Sequence, residues 1–356
     1  MQSEIEKHTK WKPPASGFFI LSILGVMLLI LFKNHSMDEI RDLFISMDIK
    51  WLLAAVGCIL LSYLCDTMCY YEITRKIYGK ASIRTAFRVT MSGVYFNSVT
   101  PFACGGEPFQ ISCLMKDGVP VGSCANIVMV KSTIFQASVF LSSIMSFVMN
   151  AKSLNRMVGK LNLFFIIGVS INVVIILFLL LFLVNKSVAR KVVNFVFRLL
   201  GKCHIIKKPE KYIRKKEEGI ECFINASRLI FSDLGVIIKS FLYQLLNLLL
   251  GYIIPFFLLL SLEGRYGSIV DIITSQAILR QITAYIPSPG AAGGAEGISY
   301  FFFRNFFTKV PVVSVILIWR ILTYYFNVAF AGLYLLFIKE KKEKTVLGFI
   351  RHGKAA

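Results

Sequence analysis

Six runs of apolar residues, each close to the ~20 residues that a bilayer crossing requires, alternate with polar and basic stretches along the chain. They lie at about 15–32, 51–71, 121–149, 161–184, 234–262 and 312–338, and each predicts a membrane-spanning helix. Two further apolar stretches are interrupted. Residues 86–117 break at "TPFACGGEP" and residues 271–307 at "IPSPGAAGGAEG". Proline removes a backbone N–H and paired glycines let the chain turn, so neither stretch reads as a straight helix.

Lys and Arg give the orientation, because basic segments stay on the cytoplasmic side. Residues 72–88 carry Arg75, Lys76, Lys80, Arg84 and Arg88. The stretch 185–233 carries Lys186, Arg190, Lys191, Lys207, Lys208, Lys215 and Lys216, and the tail 339–356 contains "KEKKEK". The loop 33–50 is mixed. Both termini are therefore expected in the cytoplasm of a multi-pass plasma-membrane protein. Counting the interrupted stretches as spans would put a basic segment on the wrong side, so both are expected to be re-entrant hairpins. Irregular backbone at membrane depth is tolerated only when buried in protein or lining a wet cavity, so the two breaks should meet inside the bundle. The fold class is an all-α integral membrane protein, with six spanning helices plus two oppositely oriented re-entrant helical hairpins in an inverted-topology repeat. One membrane domain, 1–356, holds repeat 1 (51–149), a basic cytosolic loop (185–233), repeat 2 (234–338) and a basic cytosolic tail (339–356).

Composition agrees with this pattern. Hydrophobic residues make up 56% of the chain and the mean hydropathy is +0.67, which excludes an ordinary soluble domain. The formal net charge of +20 suits an anionic leaflet. Nucleic acid is not expected as a partner, because the charge lies in loops between apolar helices. Among the eight cysteines, Cys58, Cys65, Cys69, Cys104, Cys113 and Cys124 read as small hydrophobes without zinc-site spacing, and Cys203-His204 stands alone in a basic loop. No metal site and no cofactor are expected. The apolar run at 15–32 follows a basic flank as in a signal sequence, but no small-residue cleavage site follows it, and it reads as a retained first helix.

The two breaks match each other. Pro101, Ala103, Gly105 and Gly106 fall on Pro289, Ala291, Gly293 and Gly294 at a constant offset of 188, and one inserted residue then brings Glu107 onto Glu296. An offset of 189 places Lys131 of the third run onto Arg320 of the last. Transporters with inverted repeats place the binding site at the midplane, where broken helices meet. The candidate substrate-binding residues are therefore Glu107, Glu296, Lys131, Arg320, Arg280 and the glycines Gly105, Gly106, Gly293 and Gly294. A half-helix start offers free N–H groups and a positive dipole end to an anion. The glutamates either cap those starts or face a polar cavity, binding an amine, exchanging a proton or pairing with Lys131 and Arg320. A cation at a helix centre costs about 2.5–3.5 kcal/mol, which makes Lys131 and Arg320 functional candidates, with a fold-locking ion pair as the alternative. Arg280, with Gln276 and Gln281, could contact a phosphate, whereas Arg304 is expected to snorkel. Asp66 lies about one turn and a half from the cytoplasmic end of its span, so an interfacial role and a site role both stay open, and Gln244 and Asn247 are expected to hydrogen-bond between helices.

No residue is assigned a catalytic role. No Gly-rich phosphate loop, HExxH or nucleophile elbow occurs in a suitable context. His8, His35, His204 and His352 all lie in loops or terminal segments. The basic stretch 185–233 is expected to supply a surface amphipathic segment on anionic lipid.

Three stretches, "PFACGGEPFQISCLMKDGVPVGSCANIVMVK", "IPSPGAAGGAEG" and "LIWRILTYYFNVAFAGL", resemble the lysylphosphatidylglycerol synthase transmembrane family, the flippase-like membrane half of the multiple peptide resistance factor. The similarity covers nearly the whole chain. The resemblance implies motif positions at Glu107, Glu296 and Arg320, with two departures: Lys131 in place of an arginine and Asn327 in place of a proline. It implies a translocator that moves a phospholipid, aminoacylated in the manner of lysyl-phosphatidylglycerol, between leaflets. Members of the family join this half to a separate cytosolic domain that charges the lipid from aminoacyl-tRNA, and the 356 residues carry no segment expected to do so. Two other readings stay open: a phosphatidylglycerol lysyltransferase-type membrane enzyme, and a membrane subunit that recruits a separate cytosolic synthase. Head group, direction, coupling ion and oligomeric state are not readable.

Overall fold

The computed structural model describes residues 45–158, 162–202, 213–263 and 268–338. The first apolar run, most of the 33–50 loop, Lys207, Lys208, Cys203, His204 and the tail 339–356 lie outside the described residues. The described residues form helices and connections without strands. Five helical segments are long and apolar enough to cross a membrane: Ile49–Tyr78, Val121–Met149, Leu163–Val184, Leu234–Glu263 and Val312–Phe337. They coincide with five of the six expected runs.

Helix α1 (Ile49–Tyr78) begins where the Asp48 carboxylate accepts from the Lys50 N–H, and ends where Gly79 turns into the left-handed region and donates to the Arg75 carbonyl. Helix α2 (Ile83–Val99), a short turn at Pro101–Ala103 and helix α3 (Gly106–Lys116) form the first broken element. The chain continues through α4 (Val121–Val158) and α5 (Asn162–Val184). Large side chains on the outer face of α5, among them Leu163, Phe164, Ile166, Val174 and Leu177, are exposed, as a lipid-facing surface requires.

The stretch 185–233 departs from expectation. It contains α6 (Lys186–Lys202) and α7 (Ile213–Phe231), and α7 packs against α4 with Ile220, Phe223 and Ile224 buried in a core shared with Cys124 and Ile127. Gly122 makes this possible, since a Cβ there would lie 2.2 Å from the Gly219 carbonyl oxygen. The apolar face of α7 is thus covered by protein. Lys186 meets Glu221 at 3.0 Å, and Arg190 pairs with Glu217, so the basic face of α6 is partly neutralised by α7.

The run at 234–262 is divided into α8 (Leu234–Tyr252) and α9 (Ile254–Glu263). Pro255 has no N–H for the carbonyl four residues back, which breaks the helix there. Polar contacts at both ends set α8–α9 antiparallel to α1. The Asp48 N–H donates to the Ser261 carbonyl at 3.1 Å, and Lys76 reaches Asp233 at 2.7 Å. Asp233 also accepts the Val236 N–H as the cap of α8. The Lys76 ammonium, with that backbone donor, holds the half-buried Asp233 carboxyl below the usual carboxylate range.

Helix α10 (Ile269–Thr283), a turn at Pro289–Ala291 and α11 (Gly294–Phe303) form the second broken element, followed by α12 (Val312–Arg320), one π-helical turn at Ile321–Tyr325 and α13 (Phe326–Phe337). The two breaks touch each other, as expected of irregular backbone within a bundle. They also share their conformation. Phe102 and Ala103 have φ of 56° and 51°, and Gly290 and Ala291 have φ of 60° and 53°. Left-handed pairs and helix starts both keep the offset of 188 without an insertion, so Glu107 is the second residue of α3 whereas Glu296 is the third of α11.

Gly290 combines a left-handed φ with close packing, since a Cβ would lie 2.1 Å from the Tyr324 ring. Left-handed backbone costs a substituted residue about 1–2 kcal/mol before any steric conflict. Gly290→Ala should therefore lower the detergent melting temperature by several degrees. Gly297→Ala, where a Cβ meets nothing within 4 Å, should leave it unchanged or raise it.

Candidate functional site

Both broken elements, α1, α4, α8 and α12–α13 surround one cavity of 440 Å³, within the range of small-molecule sites. Its charged lining is Asp66, Lys131, Arg280 and Arg320. Three are cations and one is an anion.

Lys131 projects from α4 to Asp66 of α1, with Nζ 2.7 Å from Oδ1. Asp66 is buried, and the same oxygen accepts from Gln244 Nε2 at 2.9 Å and Asn247 Nδ2 at 3.4 Å. Gln244 and Asn247 hydrogen-bond between helices as expected, and Asp66 is their common acceptor. Of the interfacial role and the site role that both stood open for Asp66, its position favours the second: it lines the cavity. Burial explains the pairing, because an isolated carboxylate on α1 would lose its hydration without replacement. Lys131 also lies 5.2 Å from the Tyr70 ring centroid and 5.3 Å from that of Phe135.

Arg320, 5% exposed, joins α12 to the second break. Its Nε is 2.7 Å from Glu296 Oε1, and its Nη1 donates to the Gly290 carbonyl at 3.1 Å. Glu296 Oε2 accepts the Gly293 N–H at 2.6 Å, closing a capping arrangement at the start of α11. Both readings of Glu296 thus hold together, as cap and as ion-pair partner. The Arg320 Nη2 is buried without a hydrogen-bond partner, a donor left over at the cavity wall. The π-helical turn that follows aims Tyr324 across the bundle, where its hydroxyl donates to the Ser98 carbonyl at 3.0 Å. Asn327 donates to the Thr323 carbonyl at 2.6 Å and accepts from Tyr63, so it satisfies backbone beside the π turn.

Glu107 stands apart. Neither it nor Glu296 is among the cavity-lining residues, but the Glu107 Oε2 is buried without a hydrogen-bond partner. The first break is stitched by neutral groups: Gly105 N–H donates to Thr100 Oγ1 at 2.9 Å and Gly106 N–H to Asn97 Oδ1 at 2.7 Å. A Cβ on Gly105 or Gly106 would strike those same side chains. Gly105, Gly106, Gly293 and Gly294 thus shape the breaks and do not line the cavity.

Arg280 differs from the other cations. It lines the cavity, is exposed, and has its guanidinium 5.4 Å from the Phe135 ring centroid. Among the described residues no carboxylate pairs with it. Gln276 lines the cavity too, whereas Gln281 is fully buried and lies toward α5 at Gly168. Arg304 is exposed, away from the cavity, over Phe301. Asp66, Tyr63 and Asn97 were missing from the sequence-based site. Asp66 was visible as an intramembrane carboxylate, but its partner lies on a helix remote in sequence.

The model of the lysylphosphatidylglycerol synthase TM region matches residues 17–331. The chain belongs to this family. A UPF0104 membrane protein from Archaeoglobus fulgidus is 26% identical over 256 residues, covering 70% of this chain and 74% of that protein. No solved structure matches the chain. Within the lysylphosphatidylglycerol synthase TM assignment, two of the three motif positions, Glu296 and Arg320, are in contact, and the third, Glu107, is not part of that cluster. Lys131 offers a point charge to one carboxylate oxygen of Asp66 rather than the two-pronged fork of an arginine.

Removing one member of a buried pair strands the other and costs about 3–5 kcal/mol. Asp66→Asn should accordingly lower unfolding stability in detergent by that order, and adding Lys131→Met should recover most of it. A double variant no more stable than Asp66→Asn would show that Asp66 acts through Gln244 and Asn247 alone.

Proposed function

We propose that this protein is a phospholipid translocator of the plasma membrane, carrying an anionic or aminoacylated head group through the central cavity while the acyl chains stay in the bilayer. In this reading the two broken elements are oppositely oriented re-entrant hairpins of an inverted repeat, and both termini are cytoplasmic. Arg280 carries the proposal: an accessible guanidinium in a membrane-embedded cavity, with no carboxylate partner among the described residues. An unpaired cation in a bundle invites an external anion, and a guanidinium matches a phosphate through two parallel N–H bonds. Arg320 Nη2, also unpartnered, supplies a second donor at the cavity wall. Asp66, the carboxylate on the cavity lining among the described residues, is available to an aminoacyl amine once Lys131 shifts toward the phosphate. Substrate movement then exchanges one ion pair for another and gives Arg280 the anionic partner that no described carboxylate supplies.

The test is leaflet exchange of a fluorescent phosphatidylglycerol analogue, followed by surface quenching in liposomes containing the purified chain. Loss of one charge-assisted hydrogen bond is worth about 1.5–3 kcal/mol, so Arg280→Gln should slow exchange roughly ten-fold or more with the melting temperature unchanged. Glu296→Gln, which frees Arg320 from its place at the cavity wall, should slow it as well. Exchange no faster than in protein-free liposomes would overturn the reading.

A further inference from the structure

A second cavity, of 1100 Å³, opens where the end of α1 meets the start of α2 and the end of α13. No residue lines both cavities. Arg75, Lys80, Arg84 and Arg88 line this one, with Asp117 as their carboxylate neighbour. Four of the five cations that the sequence places in 72–88 are therefore gathered around one space, and the fifth, Lys76, is withdrawn to Asp233. Asp117 cannot neutralise the group. Its Oδ2 accepts from Thr85 at 2.6 Å, and its Oδ1 is 3.9 Å from Arg88, beyond hydrogen-bond reach. The Arg88 Nε is buried with no hydrogen-bond partner. Lys80 and Arg84 are exposed, and among the described residues neither has an ion-pair partner. The lining also includes aromatic and aliphatic side chains, Tyr78, Tyr334, Phe337 and Ile338, with Phe337 81% exposed.

We propose that this pocket is a separate anion site that holds the phosphodiester of an anionic phospholipid, with Arg84, Arg88 and Lys80 on the phosphate and the chains along Phe337. Charge selects the class of ligand, because clustered arginines with unfilled donors recognise phosphate, and anionic lipid is the abundant phosphate at a membrane face. The apolar wall selects the lipid over a free anion, which would make no use of Phe337 and Ile338. The assignment does not rest on passage of lipid through the central cavity.

The experiment uses the full chain carrying a Tyr78→benzoylphenylalanine photo-crosslinker, in nanodiscs of phosphatidylcholine with or without phosphatidylglycerol, and reads lipid adducts by mass spectrometry. A phosphatidylglycerol adduct well above the phosphatidylcholine background is expected. It should fall roughly ten-fold when Lys80→Gln and Arg84→Gln are combined, since each basic group near the surface contributes measurably to anionic-lipid binding. Both side chains are exposed, so the core is untouched. Inorganic phosphate at constant ionic strength should not compete. Arg280→Gln should label like the parent, which separates this site from the central one. Equal adducts with both lipids, or an unchanged yield in the double variant, would overturn the site. Displacement by inorganic phosphate would overturn the lipid as its occupant.

Discussion

A bilayer interior offers a broken helix nothing to hydrogen-bond with, so every backbone group freed at residues 100–106 and 288–294 must be satisfied from within the chain. Most of the fold's polar geometry serves that constraint. At the first break, Thr100 and Asn97 take the N–H groups of Gly105 and Gly106, and Tyr324 covers the Ser98 carbonyl. At the second, Ser288 donates to the Ala292 carbonyl at 2.8 Å, Glu296 takes the Gly293 N–H, and Arg320 covers the Gly290 carbonyl. The first solution is almost wholly neutral and local. The second brings in a charged pair, one member of which comes from another helix.

That difference orders the chemistry of the cavity. Arg320 and Glu296 hold backbone in place, and Lys131 is held by Asp66 with two amide donors beside it. Each pair repays part of its desolvation through several bonds, which is the condition for a buried pair to be tolerated. Arg280 has no such employment. The electrostatics therefore single out the one cation whose sequence context is least distinctive, on a helix without the glycine motif.

The glycine motif, the breaks and five spans were legible in the sequence because they rest on local rules: apolar length, proline chemistry and small-residue spacing. The common conformation of the breaks follows from the same local code, down to left-handed residues 188 positions apart. Partnerships were legible only in part: a pair between Arg320 and Glu296 was among the expected readings, and the pair between Lys131 and Asp66 was not. Nothing in the periodicity of α1 points from Asp66 to Lys131, 65 positions on, because contacts between helices depend on rotation and crossing, which composition does not encode. The packing of α7 within the stretch 185–233 was not legible for a related reason. Its basic residues suggested a segment on the membrane surface, whereas Gly122 lets α7 pack its apolar face on α4.

One residue of register separates the two glutamates and decides what each can do. A carboxylate reaches back to the N–H preceding a helix from its third position, which Glu296 occupies and Glu107 does not. In sequence the extra alanine looked like a harmless insertion between matched motifs. In the helix it rotates the carboxylate by about 100° around the axis, given 3.6 residues per turn. Glu296 is thereby committed to its cap and to Arg320, and the first break, closed by Thr100 and Asn97, makes no demand on Glu107. Of the two acids beside the matched glycines, one serves the structure and the other keeps an oxygen that no donor fills among the described residues.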